Sequence, residues 1–288
     1  MATEATLDRV SAGSLTERAF LRDYYFRHRP VILTGAHDAW PALGWTPKTL
    51  RDMLGDREVD VRVSASGLLF DNRTGDSTTE RMRFSEFVDT ITSGRAERTM
   101  YFAQQNIRDV IPEWERYLTP RLSFLRWGDH VQATNLWFGD RGSVTPLHFD
   151  FGHNYFTQVY GRKEFVIFAP EDRPYLYPNR DQPLFYFVSK VAVHEPDAEA
   201  FPEYARARPY RFVLQPSDVL FLPCGWWHCV RSLDVSISIN QWWFRVFSRN
   251  TRQGRVLAEF MGAFARHKLA AVRDRVRGRA PAQRRGAY

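Results

Sequence analysis

The stretch Asn135 to Asp150 reads NLWFGDRGSVTPLHFD and ends on a histidine and an aspartate two positions apart. On a β-strand side chains alternate with a period of two, so His148 and Asp150 would share a face and could both reach one metal ion. A second histidine is available in Cys224-Gly225-Trp226-Trp227-His228, directly after the apolar run Val219–Leu222. Two histidines and one carboxylate on one face of an ion leave three positions open. That suits non-haem iron(II), which must bind a cosubstrate and oxygen together. By itself a His-x-Asp pair is a weak signal, because the chain holds eight histidines and such pairs are commonly structural. Cys224, Cys229 and His228 form a competing zinc reading, but no fourth ligand lies nearby. His153 is expected beside the ligands or on the substrate side. His28, His37, His130, His194 and His267 carry no signal. Lys163 follows Tyr160-Gly161-Arg162 and precedes Phe165-Val166-Ile167-Phe168. It is either an exposed turn lysine or an ammonium in apolar surroundings, where an unpaired charge is costly and an anion would be needed.

The residues around these positions resemble a known family. Thr145-Pro146-Leu147-His148-Phe149-Asp150, Asn154-Tyr155-Phe156, Gln158, Gly161-Arg162-Lys163 and Phe168-Ala169-Pro170 are similar to the core of the Jumonji-C and cupin-like oxygenases. Pro216 to Pro223, Trp226-Trp227-His228 and Ser238-Ile239-Asn240-Gln241-Trp242-Trp243 carry the second half of the likeness. It runs from about Arg29 to Phe244 and is specific from Tyr101 onward. Within the family it lies nearest the asparaginyl hydroxylase that inhibits hypoxia-inducible factor and its small bacterial relatives.

The resemblance implies an iron(II)- and 2-oxoglutarate-dependent dioxygenase that uses O2 to hydroxylate an unactivated C–H bond, releasing succinate and CO2. It implies His148, Asp150 and His228 as iron ligands. Lys163, Thr145 and Tyr101 would hold the distal carboxylate of 2-oxoglutarate, and Asn154 and Asn240 would line its pocket. Trp226, Trp227, Trp242 and Trp243 are assigned mainly to packing that shields the site from water. The substrate expected is a protein, peptide or amino-acid side chain. Lysine demethylation and a cupin metal centre that does not use 2-oxoglutarate are the alternatives, as is a non-catalytic metal-binding cupin.

Such a site needs a scaffold, and strand signals dominate from Met100 onward. Met100–Ala103, Val131–Phe138, Val144–Phe149, Asn154–Tyr160, Phe165–Phe168, Tyr210–Leu214, Val219–Leu222 and Val235–Phe244 are punctuated by turn residues. Many short strands with little helix between them indicate a barrel or a two-sheet jelly roll. The fold expected is an all-β core, a double-stranded β-helix of eight core strands, with helical N-terminal and C-terminal extensions. Upstream, the first dozen residues read as unstructured. Ser14-Leu15-Thr16-Glu17 fits a capping box opening a helix through about Phe26. Pro30–Gly35 reads as a buried strand, and Thr46-Pro47 as the start of a second helix. Val59–Val63 alternates like a half-exposed strand, residues 70–82 read as a loop or hairpin tip, and Phe84–Ile91 reads as a short helix.

Composition permits this fold, with 44% hydrophobic and 15% aromatic residues, the latter favouring half-buried pleated surfaces. No apolar run is long enough for a membrane span, and the N-terminus lacks the layout of a signal peptide. Two cysteines give no disulfide framework, and a cytoplasmic protein is expected. The formal net charge of +7 sits wholly in the stretch from Arg266 onward, where eight bases face one acid. That distribution argues against nucleic acid as a partner of the main body. Residues 1–247 are expected as the oxygenase domain and 248–288 as a helical, basic extension. In that extension Val256, Leu257, Phe260, Met261 and Phe264 recur at helical spacing and suit a homodimer interface.

Overall fold

The computed structural model describes residues 6–68, 77–119, 131–179 and 187–243, together with Ala258 and Gly262, which are helical. The rest of the 248–288 extension, with its apolar stripe and His267, lies outside the described residues, as does His130. Among the described residues thirteen strands fall into two sheets. They are β1 (Arg9–Ser11), β2 (Val31–Thr34), β3 (Glu58–Ser64), β4 (Thr78–Arg83), β5 (Thr99–Asn106), β6 (Val131–Gly139) and β7 (Val144–Phe149). There follow β8 (His153–Tyr160), β9 (Lys163–Phe168), β10 (Tyr210–Leu214), β11 (Val219–Leu222), β12 (Trp227–Ser232) and β13 (Ser236–Trp243). The large sheet runs β1-β2-β11-β8-β13-β6-β5-β3-β4 and the small one β10-β9-β12-β7. Between β6 and β13 the chain passes repeatedly from one sheet to the other. Residues distant in sequence, such as His148 and His228, thereby become cross-strand neighbours.

Alternation decides which side chains enter the space between the sheets. On β9, Phe165 and Ile167 point inward with Phe156, Leu220, Leu222 and Val230. Val166 and Phe168 point outward onto a cluster with Leu147, Phe149 and Trp227. Each fully buried phenylalanine of this kind contributes roughly 2 kcal/mol by leaving water. The far face of the large sheet is covered by helices. Their apolar residues include Leu50 and Leu54 of α2 (Pro47–Leu54) and Phe84, Phe87 and Ile91 of α3 (Phe84–Thr92). Thr46 and Thr49 form a reciprocal capping box at the start of α2, with Pro47 at its first turn.

Four local expectations are corrected. The first dozen residues include β1, which pairs in parallel with β2 through Arg9 and Ile32. The first helix (Glu17–Phe20, continuing in a wider π turn to Tyr25) is capped by Thr16, whose hydroxyl accepts from the Ala19 amide. Ser14 instead donates to the Ser11 carbonyl. The polar stretch 70–82 becomes strand from Thr78, because β4 pairs with β3 along its length; residues 70–76 lie outside the described set. His228 follows β11 as expected but sits inside a further, unexpected strand, β12, hydrogen-bonded to both β7 and β9. Among the described residues no helix is long and apolar enough to cross a membrane.

Candidate metal centre and adjoining pocket

His148 on β7 and His228 on β12 are direct cross-strand partners, with ring centroids 4.1 Å apart. Their register slips between His228 and Val230, where β7 carries the extra residue. That residue lies in the Pro146 region, and a proline without an N–H is tolerated at such a bulge. Asp150 sits just past the end of β7. Its Oδ1 lies 3.9 Å from His148 Nε2 and its Oδ2 3.7 Å from His228 Nε2. Among the described residues these three are the one group whose ligand atoms converge as a metal ion requires.

Hydrogen bonding fixes which nitrogen faces the carboxylate. His148 Nδ1 lies 2.8 Å from the Pro146 carbonyl and His228 Nδ1 3.1 Å from the Trp226 carbonyl. A carbonyl only accepts, so each Nδ1 carries the proton, and each Nε2 presents a lone pair toward Asp150. Burial, reinforced by the neighbouring His148, lowers the pKa of His228 to about 4. His228 is therefore neutral and able to ligate at physiological pH. Two lone pairs and a carboxylate held together in this way fit a divalent transition metal.

Asp150 is oriented by donors on other strands. Trp242 Nε1 donates to its Oδ2 at 3.0 Å and Asn154 Nδ2 at 3.2 Å, while the Gly225 amide donates to its backbone carbonyl. Gly225 adopts φ 79°, a left-handed turn that glycine enters without strain and that delivers β12. A relay of amides stands behind Asn154. Trp137 Nε1, which can only donate, points at Asn240 Oδ1 at 2.7 Å, and Asn240 Nδ2 donates to Asn154 Oδ1 at 3.2 Å. The amide orientations follow from the indole in one direction down to Asp150. Trp242, expected to serve packing, thus holds the carboxylate directly. Its indole N–H is one donor among nine tryptophans, and sequence spacing gives no hint of it.

The three residues open onto a cavity of about 440 Å³, its mouth included, also lined by Tyr101, Thr145, Asn154, Phe156, Asn240 and Trp242. Beyond Tyr101 lies Lys163, 1% exposed at the start of β9. Its ammonium donates to the Tyr101 hydroxyl at 2.8 Å and sits over the rings of Tyr101 and Phe156. Among the described residues no carboxylate pairs with it, and burial lowers its pKa to about 7. Burial also pushes the Tyr101 phenol well above its ordinary value, with an opposing contribution from the Thr145 hydroxyl. Thus all eight residues expected at the site lie in or beside one cavity.

Other candidates fall away. His153 is not on the substrate side. It is fully buried on the opposite face of β8, packed against Tyr25, Phe221 and Trp243, with its Nδ1 accepting from the Cys224 amide. Cys229 alternates away from His228 into the outer cluster, so the zinc reading has no geometry to support it. His37 is a core histidine stacked on Trp40 and bonded to Thr157.

A family model described as a cupin-like domain matches residues 17–249. The chain belongs to the cupin-like domain family. Lysine-specific demethylase 8 of Danio rerio is 36% identical to this cupin-like protein over 231 residues, 78% of this chain and 55% of that protein. Lysine-specific demethylase JMJ30 of Arabidopsis thaliana is 33% identical over 244 residues, 83% of this chain and 55% of its own length. HSPB1-associated protein 1 of Rattus norvegicus is 32% identical over 235 residues, 74% of this chain and 48% of that protein. The chain spans about half the length of the curated relatives it matches. They relate this cupin-like domain to the JmjC-type 2-oxoglutarate oxygenases, and nothing in them singles out the asparaginyl hydroxylase that the sequence motifs place nearest.

Proposed function

We propose that this cupin-like protein is an iron(II)- and 2-oxoglutarate-dependent oxygenase that hydroxylates an unactivated C–H bond on a protein or peptide side chain. The observation that carries the reading is the pairing of two features around one cavity, the second standing just behind the Tyr101 that lines it. At one end stand two imidazole lone pairs and a carboxylate. At the other stands a buried ammonium that no carboxylate among the described residues neutralises. A ligand with a metal-chelating end and a distal carboxylate satisfies both, and 2-oxoglutarate is such a ligand.

In this reading His148, Asp150 and His228 hold the iron, and Lys163, Tyr101 and Thr145 receive the distal carboxylate. Asn154 and Asn240 line the pocket between them while steadying Asp150. The bound iron and cosubstrate supply the oxidising chemistry, with succinate and CO2 as co-products. The protein's part is to orient and to exclude water. Trp242 and Asn154 keep Asp150 aimed at the metal, and Phe156, Leu220 and Leu222 keep the interior dry. Strands β6 to β13, eight in number and shared between the two sheets, are read as the double-stranded β-helix that supports such sites.

Demethylation of a lysine side chain is a second reading, favoured by the names of two of the relatives. Oxygenation of an N-methyl carbon would use the same residues and release formaldehyde. Incubation with iron(II), O2 and 2-oxoglutarate should give succinate that depends on all three. Mass spectrometry across a peptide library then separates the readings, since hydroxylation adds an oxygen atom and demethylation removes a methyl group. Absence of succinate under every condition would sink both.

A further inference from the structure

We infer that Gln158 and Ser238 are positioning residues for Lys163, acting through the turn that delivers it. The inference rests on the reading of Lys163 as the counter-charge of the cosubstrate. It concerns the closed end of the interior, away from the metal ligands, where side chains turn from aliphatic to hydroxyl and amide.

Lys163 follows a tight turn at 160–162, and that turn lies directly against the turn at 233–235. Gly161 adopts φ 66°, and a Cβ there would meet the Val235 carbonyl oxygen at 2.2 Å. The Leu233 amide donates to the Arg162 carbonyl at 2.9 Å, and the Arg162 guanidinium pairs with both oxygens of Asp234. These contacts join the turns at the surface. The interior contact is Gln158, wholly buried, whose Nε2 donates to the carbonyls of Tyr160 at 2.8 Å and Gly161 at 3.0 Å. Two carbonyl acceptors require the amide nitrogen on that side, so Oε1 faces the other way and accepts from the buried Ser238 hydroxyl at 2.9 Å. The two carbonyls thus fix the orientation of the amide, Ser238 satisfies and steadies its oxygen end, and the amide holds the path of the backbone into Lys163.

The layer is closed by further buried hydroxyls, with Ser143, Ser232 and Ser236 bonded in series and Ser232 opposite Lys163 in the β9–β12 register. Buried polar groups carry a desolvation cost that an aliphatic layer avoids. Once satisfied, they hold one arrangement more strictly than apolar packing does. A long, flexible lysine whose ammonium must meet a fixed carboxylate benefits from a backbone held in that way.

The test uses the full chain with iron(II) and 2-oxoglutarate under anaerobic conditions. Gln158→Met keeps the volume and removes all three bonds; Ser238→Ala is the milder change. Loss of bonds of this kind should weaken 2-oxoglutarate binding about tenfold in Gln158→Met and roughly threefold in Ser238→Ala, with iron(II) affinity unchanged. In a Lys163→Met background the Gln158→Met loss should largely disappear, because a positioning residue has nothing left to position. Wild-type affinity in both variants, or an undiminished loss in the Lys163→Met background, would overturn the inference. Amide hydrogen exchange supplies a readout independent of the cosubstrate. Ser238→Ala should speed exchange at residues 161–163 and 233 while leaving His148 and His228 unchanged. If the wild-type protein binds no 2-oxoglutarate, the cosubstrate reading fails, and unchanged exchange at 161–163 would then reject the positioning role as well.

Discussion

The two ends of the cavity are built on opposite principles. At the metal end, groups from two strands of the small sheet converge, and main-chain carbonyls, an indole and an amide aim each of them. Asp150 and His148 remain partly open to solvent there. At the other end a single charge is sealed in, held by one phenol and the faces of two rings. The first end spends hydrogen bonds on direction, and the second leaves a charge without its counterpart. In the proposed reading, one end needs only its ion, whereas the other is electrostatically complete only when an anion arrives.

The largest effects should come from the metal end. His148→Ala and Asp150→Ala should each abolish iron-dependent succinate formation while leaving the circular dichroism spectrum of the wild type, because both residues border a cavity and not a packed core. Wild-type turnover in either variant would remove the ligand assignment.

The sealed end should respond more gradually. Lys163→Met keeps most of the volume and removes the charge, leaving a carboxylate buried without its partner. Truncating one member of such a pair costs about 2–5 kcal/mol, so 2-oxoglutarate affinity should fall roughly 30-fold or more by calorimetry. Iron binding should be little changed.

The same lysine predicts a pH dependence whose sign is fixed by its lowered pKa of about 7. Below that value the ammonium is already present in the empty site, and affinity for 2-oxoglutarate should be flat. Above it the site must take up a proton as the carboxylate binds, so affinity should fall by about tenfold per pH unit. Lys163→Met should lose this slope. A slope that survives in the variant would assign the titration to another group.

Trp242→Phe should have the smallest effect of the series. It deletes one donor to Asp150 while keeping an aromatic ring, and losses of groups that orient a metal ligand are roughly 10-fold in metal affinity or activity. An unchanged iron affinity would show that Asn154 alone suffices to hold the carboxylate.

The comparison of the two ends also explains what could be read in the sequence. His148 and Asp150 were legible because strand periodicity alone puts them on one face, and the strand bounds of β7, β10 and β11 follow directly from apolar runs between turns. Lys163 was legible as a charge facing an apolar run, though its burial needed the closing of β9 against β12 and β10. β12 was missed because Trp227 to Val230 is buried on both faces and shows no alternation. β1 was missed because three residues carry no pattern, and only pairing with β2 makes them a strand. The role of Trp242 and the relay from Trp137 through Asn240 and Asn154 join β6, β13, β8 and the end of β7. Such a relay exists only once the strands are side by side.

The central claim is that one molecule of 2-oxoglutarate spans both ends at once, and anaerobic spectroscopic titration tests it most directly. Addition of iron(II) and then 2-oxoglutarate to the wild-type protein should produce a visible metal-to-ligand charge-transfer band that saturates at one equivalent. The band should be absent in His148→Ala and should appear in Lys163→Met only at much higher 2-oxoglutarate concentration. A wild-type protein that binds iron(II) but develops no band with excess 2-oxoglutarate, or a Lys163→Met variant that saturates like the wild type, would contradict the account.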